Sequence, residues 1–83
     1  MKVLKFYAEW CDPCKRQSLV IAKAKDKISI TIENVNIDDN LFMAQDFKVR
    51  SVPTLVIVDD TGTEIKRHLG VLQEEELLQF LKG

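Results

Sequence analysis

Apolar residues in this chain come in short bursts, and charged stretches of helical character separate them. Val3 to Tyr7 is apolar apart from Lys5 and reads as a short, largely buried strand. Cys14 to about Lys27 reads as a helix, with Leu19, Val20, Ile21, Ala22 and Ala24 set among Lys15, Arg16, Lys23, Lys25 and Lys27. The cations crowd its C-terminal end, where they suit the helix dipole. Ser29 to Ile37 is rich in β-branched residues and predicts a second strand. Asn40 is placed to cap a short helix running to about Phe47. Thr54 to Val58 is a continuous apolar strand. Asp59-Asp60-Thr61-Gly62 is a turn, and Thr63 to Leu69 returns as its hairpin partner. Gly70 ends that strand, and Gln73 to Lys82 is a terminal helix with Glu74, Glu75 and Glu76 in its first turn.

The order β-α-β-α-β-β-α predicts an α/β fold with a four-stranded mixed sheet flanked by three helices. The first two strands, joined by a helix, are expected to run parallel with a right-handed crossover. The last two are expected to form an antiparallel hairpin.

Composition narrows the function. With 83 residues the chain is expected to be one domain over residues 1–83. A net charge of −1 suggests neither nucleic acid nor an anionic membrane as partner. The longest apolar stretch, Leu55-Val56-Ile57-Val58, is far short of a membrane span. Lys2 and Lys5 break up the N-terminal apolar run, so it does not read as a signal peptide. The expectation is a monomer in the cytosol, where structural disulfides are rare and a close thiol pair is catalytic or metal-binding.

That pair is Cys11-Asp12-Pro13-Cys14, which holds both cysteines of the chain. It lies between the first strand and the first helix. Two thiols at this spacing can close into a disulfide and reopen. Exchange needs one exposed thiolate to attack a substrate disulfide and a second thiol to resolve the mixed disulfide. Cys11 lies just ahead of the helix, where free N–H groups favour a thiolate, so it is the candidate nucleophile. Cys14, a turn inside and more shielded, is the candidate resolving thiol. Pro13 suits the first helical position. Asp12 is less expected, because a carboxylate beside Cys11 opposes thiolate formation. The alternatives are two small core cysteines, or a metal site. Zinc needs about four ligands, and the chain offers these two cysteines and a distant His68, which reads as a surface residue on the hairpin. An intersubunit site or copper(I) transfer stays open.

The chain resembles the thioredoxin family. Phe6-Tyr7-Ala8-Glu9-Trp10-Cys11-Asp12-Pro13-Cys14-Lys15 is similar to the family's active-site junction, usually WCGPCK. Asn36-Ile37-Asp38 matches the end of its next strand. Lys48-Val49-Arg50-Ser51-Val52-Pro53-Thr54 resembles the segment with its cis-proline. Gly62 matches the hairpin turn and Gly70 a glycine beside the substrate groove. The resemblance implies a thioredoxin-like fold and a cis bond before Pro53, packed against Cys11 and Cys14. It implies that the Val52 backbone pairs with an extended substrate strand, and that Trp10, Val52 and Gly70 frame the contact surface. The redox pair needs no separate cofactor. The implied partners are disulfide-containing proteins and a thioredoxin-reductase-type electron donor.

The chain also departs from the family. The family usually opens with a further strand and helix, and without them Ser29–Ile37 is expected at a sheet edge. Many members have a buried aspartate behind the resolving cysteine and a lysine on the next strand; Lys5 and Asn34 stand there instead. Lys5 either favours the Cys14 thiolate by its charge or reaches solvent. A unit charge at about 6 Å and an effective dielectric near 20 is worth roughly 3 kcal/mol. Leu19 replaces a frequent helix-kinking proline, so a straighter helix is expected. The function expected is a small dithiol–disulfide oxidoreductase that reduces protein disulfides. A glutathione-dependent glutaredoxin-like reductase is the alternative by length, although Leu69-Gly70-Val71-Leu72-Gln73 lacks a Gly-Gly-x-Asp turn. A binding module in which the thiols are idle is the third reading.

Overall fold

Strand alternation sets the architecture. The computed structural model describes residues 1–82. Its elements are β1 (Lys2–Tyr7), α1 (Asp12–Lys23), a single 3-10 turn (Lys25–Lys27), β2 (Thr31–Asn36), α2 (Leu41–Asp46), β3 (Thr54–Val58), β4 (Glu64–Leu69) and α3 (Glu74–Lys82). The sheet order is β2-β1-β3-β4. β1 lies inside, parallel to β2 and antiparallel to β3, while β3 and β4 form the antiparallel hairpin. β2 is therefore an edge.

Because β1 and β3 are covered on both faces, their side chains divide between two cores. Val3, Leu55 and Ile57 point to one face and pack with Leu72 and Leu77, alongside Val20 and Ile21 of α1 and Phe80 and Leu81 of α3. Leu4, Phe6, Val56 and Val58 point to the other, with Val35 of β2 and with Met43 and Phe47 near α2. Phe6 and Phe47 meet with ring centroids 5.7 Å apart. His68 is partly buried, its ring edge against Phe80 at 6.2 Å.

Several boundaries differ from the sequence expectation. α1 begins at Asp12 rather than Cys14, because Cys11 acts as its N-cap in an extended conformation. Pro13 is thus the second helical residue, still among the first four positions whose N–H has no helical partner. α1 runs unbroken to Lys23 and stops at Ala24, well before Lys27. Ala24 is fully buried, and the chain turns there through Lys25–Lys27 to bring Ile28 and Ile30 back onto the core. β2 starts at Thr31 rather than Ser29, since its register opposite Lys2 leaves no β1 strand for the earlier residues. Asn40 stands at the N-cap of α2 without capping it; its amide donates back to the Asn36 carbonyl at 3.0 Å.

Candidate active site

The end of β1, the head of α1, the Val52–Pro53 loop and the loop after β4 converge on the cysteines. Cys11 and Cys14 are joined as a disulfide, with Cα atoms 5.3 Å apart. The Cys14 backbone N–H donates to the Cys11 sulfur at 3.1 Å. This is one of the unpaired N–H groups at a helix start, and it faces a sulfur that can carry negative charge. Cys11 is 4% exposed, less accessible than the sequence suggested, and Cys14 is 2% exposed. They form a small apolar cluster with Ala8, against Tyr7, Ile37 and Val52.

The Val52–Pro53 peptide bond is cis, and Pro53 is buried. The Cys11 sulfur lies 3.5 Å from the Val52 carbonyl oxygen. The Thr54 hydroxyl donates to the Ser51 carbonyl at 2.7 Å and holds the bend. Gly70, at φ +97°, donates its N–H to the Pro53 carbonyl at 2.9 Å. These bonds bring Val52, Pro53 and Gly70 together beside the disulfide. Trp10 is 68% exposed, and its indole N–H donates to Asp38 at 3.0 Å. Asp12 points to solvent and lies 3.8 Å from Lys15, a pair too exposed to add much stability.

Lys5 is largely buried, with its amine directed at the exposed Ser18. It is 5% exposed and is the one buried charged residue among those described. Alternation puts it on the same face of β1 as Val3 and Tyr7, beneath α1. Its amine donates to the Ser18 hydroxyl and lies 5.4 Å from the Tyr7 ring centroid. Burial pushes its pKa below the ordinary lysine value.

Three residues were not legible as site residues. Gln17 is fully buried on α1; it donates to the Leu72 carbonyl at 3.2 Å and accepts the Leu72 N–H at 2.7 Å. That clasp fixes the segment after Gly70 against the cysteine helix. Ser18 holds Lys5, and Asp38 holds Trp10. A glutamine at an inward helical position was the one available signal.

Among the described residues, no group of three or more His, Cys, Asp and Glu is placed to hold a metal ion. No helix there is long and apolar enough to cross a membrane.

The sequence model described as Thioredoxin matches residues 1–83. The chain belongs to the thioredoxin family. A thioredoxin of Chlamydia caviae is 35% identical over 80 residues, an alignment covering 95% of this chain and 78% of the relative. The mitochondrial thioredoxin of Bos taurus is 34% identical over 84 residues, covering 96% of this chain and 49% of the relative. A solved structure of a mutant thioredoxin from Halobacterium salinarum NRC-1 superposes with a TM-score of 0.86 at 29% identity, covering 96% of this chain and 70% of that one. With the Cys11–Cys14 pair in place, the chain is a protein-disulfide oxidoreductase of the thioredoxin type. The glutaredoxin alternative is no better supported.

Proposed function

We propose that Cys11 is the attacking thiol and Cys14 the resolving one in a cycle that reduces protein disulfides. The observation that carries this assignment is the Cys14 N–H directed at the Cys11 sulfur at the head of α1. That N–H and the helix dipole favour negative charge on Cys11. The reduced protein attacks one sulfur of the substrate disulfide. The Cys11–substrate bond forms, the substrate S–S bond breaks, and the other substrate sulfur leaves as a thiolate that takes up a proton. Cys14 then attacks Cys11, closing the intramolecular disulfide and releasing the second substrate thiol. Two electrons and two protons have passed to the substrate.

The substrate is an extended segment of a disulfide-containing protein. It lies along the Val52 backbone, with cis-Pro53 beneath, Gly70 alongside and Trp10 at the rim. The Val52 carbonyl lies 3.5 Å from the Cys11 sulfur and the Gly70 N–H donates to the Pro53 carbonyl, which supports this path. The disulfide itself is the redox group, with no separate cofactor. The donor is a flavin-dependent reductase of the thioredoxin-reductase type. We place the protein in the cytoplasm as a single-domain monomer, away from nucleic acid and membranes, because a close thiol pair that cycles suits a reducing compartment.

Insulin reduction with three donors tests this reading. Thioredoxin reductase with NADPH is expected to support turnover, and glutathione with its reductase is not. Activity with glutathione alone would reassign the donor. Cys14→Ser is expected to accumulate a mixed disulfide at Cys11, visible by mass spectrometry.

A further inference from the structure

Gln17 is a fully buried side chain that the exchange cycle does not use. It and Cys14 are the buried residues of α1, one turn apart and so on one face of the helix. A leucine there would bury more apolar surface. Burying an amide is costly unless its polar groups are bonded, and here both are. The Gln17 nitrogen donates to the Leu72 carbonyl, and its oxygen accepts the Leu72 N–H. Leu72 lies between β4, which ends at Leu69, and α3, which begins at Glu74. It is outside both elements, so the glutamine amide supplies the partners that a neighbouring strand would give its backbone.

The two ends of this short segment are held by different parts of the site. Gly70 donates to the Pro53 carbonyl, and Leu72 is bonded to Gln17. Only Val71 stands between them, so the two anchors are no more than about 7 Å apart along the chain. The Leu72 side chain is also sunk in the core with Val3, Leu55, Ile57 and Leu77. A line of contacts therefore runs from the Cys11 sulfur to the Val52 carbonyl and from Pro53 to Gly70. From Leu72 it returns through Gln17 to the helix that carries Cys14.

We propose that Gln17 is a positioning residue that sets the Gly70–Leu72 segment as a fixed wall of the substrate groove. It thereby makes the protein favour disulfides carried by an extended polypeptide over small free disulfides. This rests on the substrate path along Val52 and Gly70. A wall tied to α1 keeps its spacing from the sulfurs at the head of that helix. A peptide flanking the disulfide then meets a wall that is already ordered, and preorganisation of this kind adds affinity by cutting the cost of binding. A small disulfide has no flanking chain to lay against the wall, so the clasp does nothing for it. The exchange chemistry at Cys11 and Cys14 is the same for both.

Two mixed disulfides that release the same coloured aromatic thiol test this. In one the aromatic thiol is joined to cysteine alone, and in the other to the central cysteine of an alanine- and glycine-rich decapeptide. Stopped-flow absorbance with the reduced protein gives a rate constant for each, and their ratio is the preference for the peptide. The parent is expected to favour the peptide. Gln17→Leu should lower the preference by about tenfold, within the cost of up to about a hundredfold for a misplacement of about 1 Å, and leave the cysteine disulfide at the parent rate. Replacing the Leu72 amide by an ester in synthetic protein removes the N–H that Gln17 accepts and keeps every side chain; it should lower the preference in the same direction. Val58→Ala weakens the core on the other face of the sheet and should keep the preference. An unchanged preference in folded Gln17→Leu or in the folded ester protein, or an equal loss in Val58→Ala, would overturn the positioning role. A parent that reduces both substrates at one rate would overturn the groove path itself, and this proposal with it.

Discussion

Gly70 shows how much of the site depends on backbone conformation. A Cβ there would meet nothing within 4 Å, so space does not require glycine. Its φ of +97° does, because L-residues pay steric energy in that region. Gly70→Ala is expected to cost about 1–2 kcal/mol in chemical denaturation. It should also weaken substrate reduction, since the Gly70–Pro53 bond sets the loop beside Cys11. The thiol pair, Pro53 and Gly70 were legible because their chemistry is local or because the resemblance carries them. Gln17, Ser18 and Asp38 were not, since each meets a partner far along the chain, at separations of 55, 13 and 28 residues. Only the fold brings them together. The inward direction of Lys5 was implied by alternation along β1. What its amine would meet was not, because that depends on the position of α1 over the sheet.

The elements were legible wherever apolar periodicity was strong, as in β1, β3 and α3. Their ends were not, because ends depend on capping and on where a neighbouring strand runs out. α1 began early because a cysteine took a capping role usual for serine or aspartate. α2 ends in a pair of backbone bonds, from Val49 N–H to the Ala44 carbonyl and from Lys48 N–H to the Gln45 carbonyl, each 2.9 Å. This is a Schellman closure with Lys48 at φ +54°, a position that favours glycine. Lys48→Gly is expected to stabilise the protein by about 0.5–1 kcal/mol, read as a higher urea midpoint at unchanged slope. On the other side of the sheet, Gln17→Leu keeps the bulk of the side chain but leaves both Leu72 groups without partners. A loss of about 2–3 kcal/mol is expected by the same measurement.

At the scale of the whole molecule, Lys5 links stability to pH. Its folded-state pKa lies below the unfolded value of 10.5. Between the two values the unfolded chain binds the extra proton, so stability rises with pH across that window. The cost of the buried charge is full below the lowered pKa and gone above the unfolded one. Lys5→Met should therefore melt higher than the parent at neutral pH, by about 4–8 °C for each kcal/mol recovered, and the gap should close toward strongly alkaline pH. A gap that stays constant would show that the gain comes from packing alone. The sheet order has a consequence for synthesis as well. β1 carries the chain into the cysteines, yet one of its two neighbours is β3, with Lys5 opposite Leu55. A ribosome adding about 5–20 residues per second needs several seconds to deliver that partner. Throughout that interval Cys11 and Cys14 belong to a nascent chain whose central strand is flanked on one side at most, open to whatever oxidant the compartment holds.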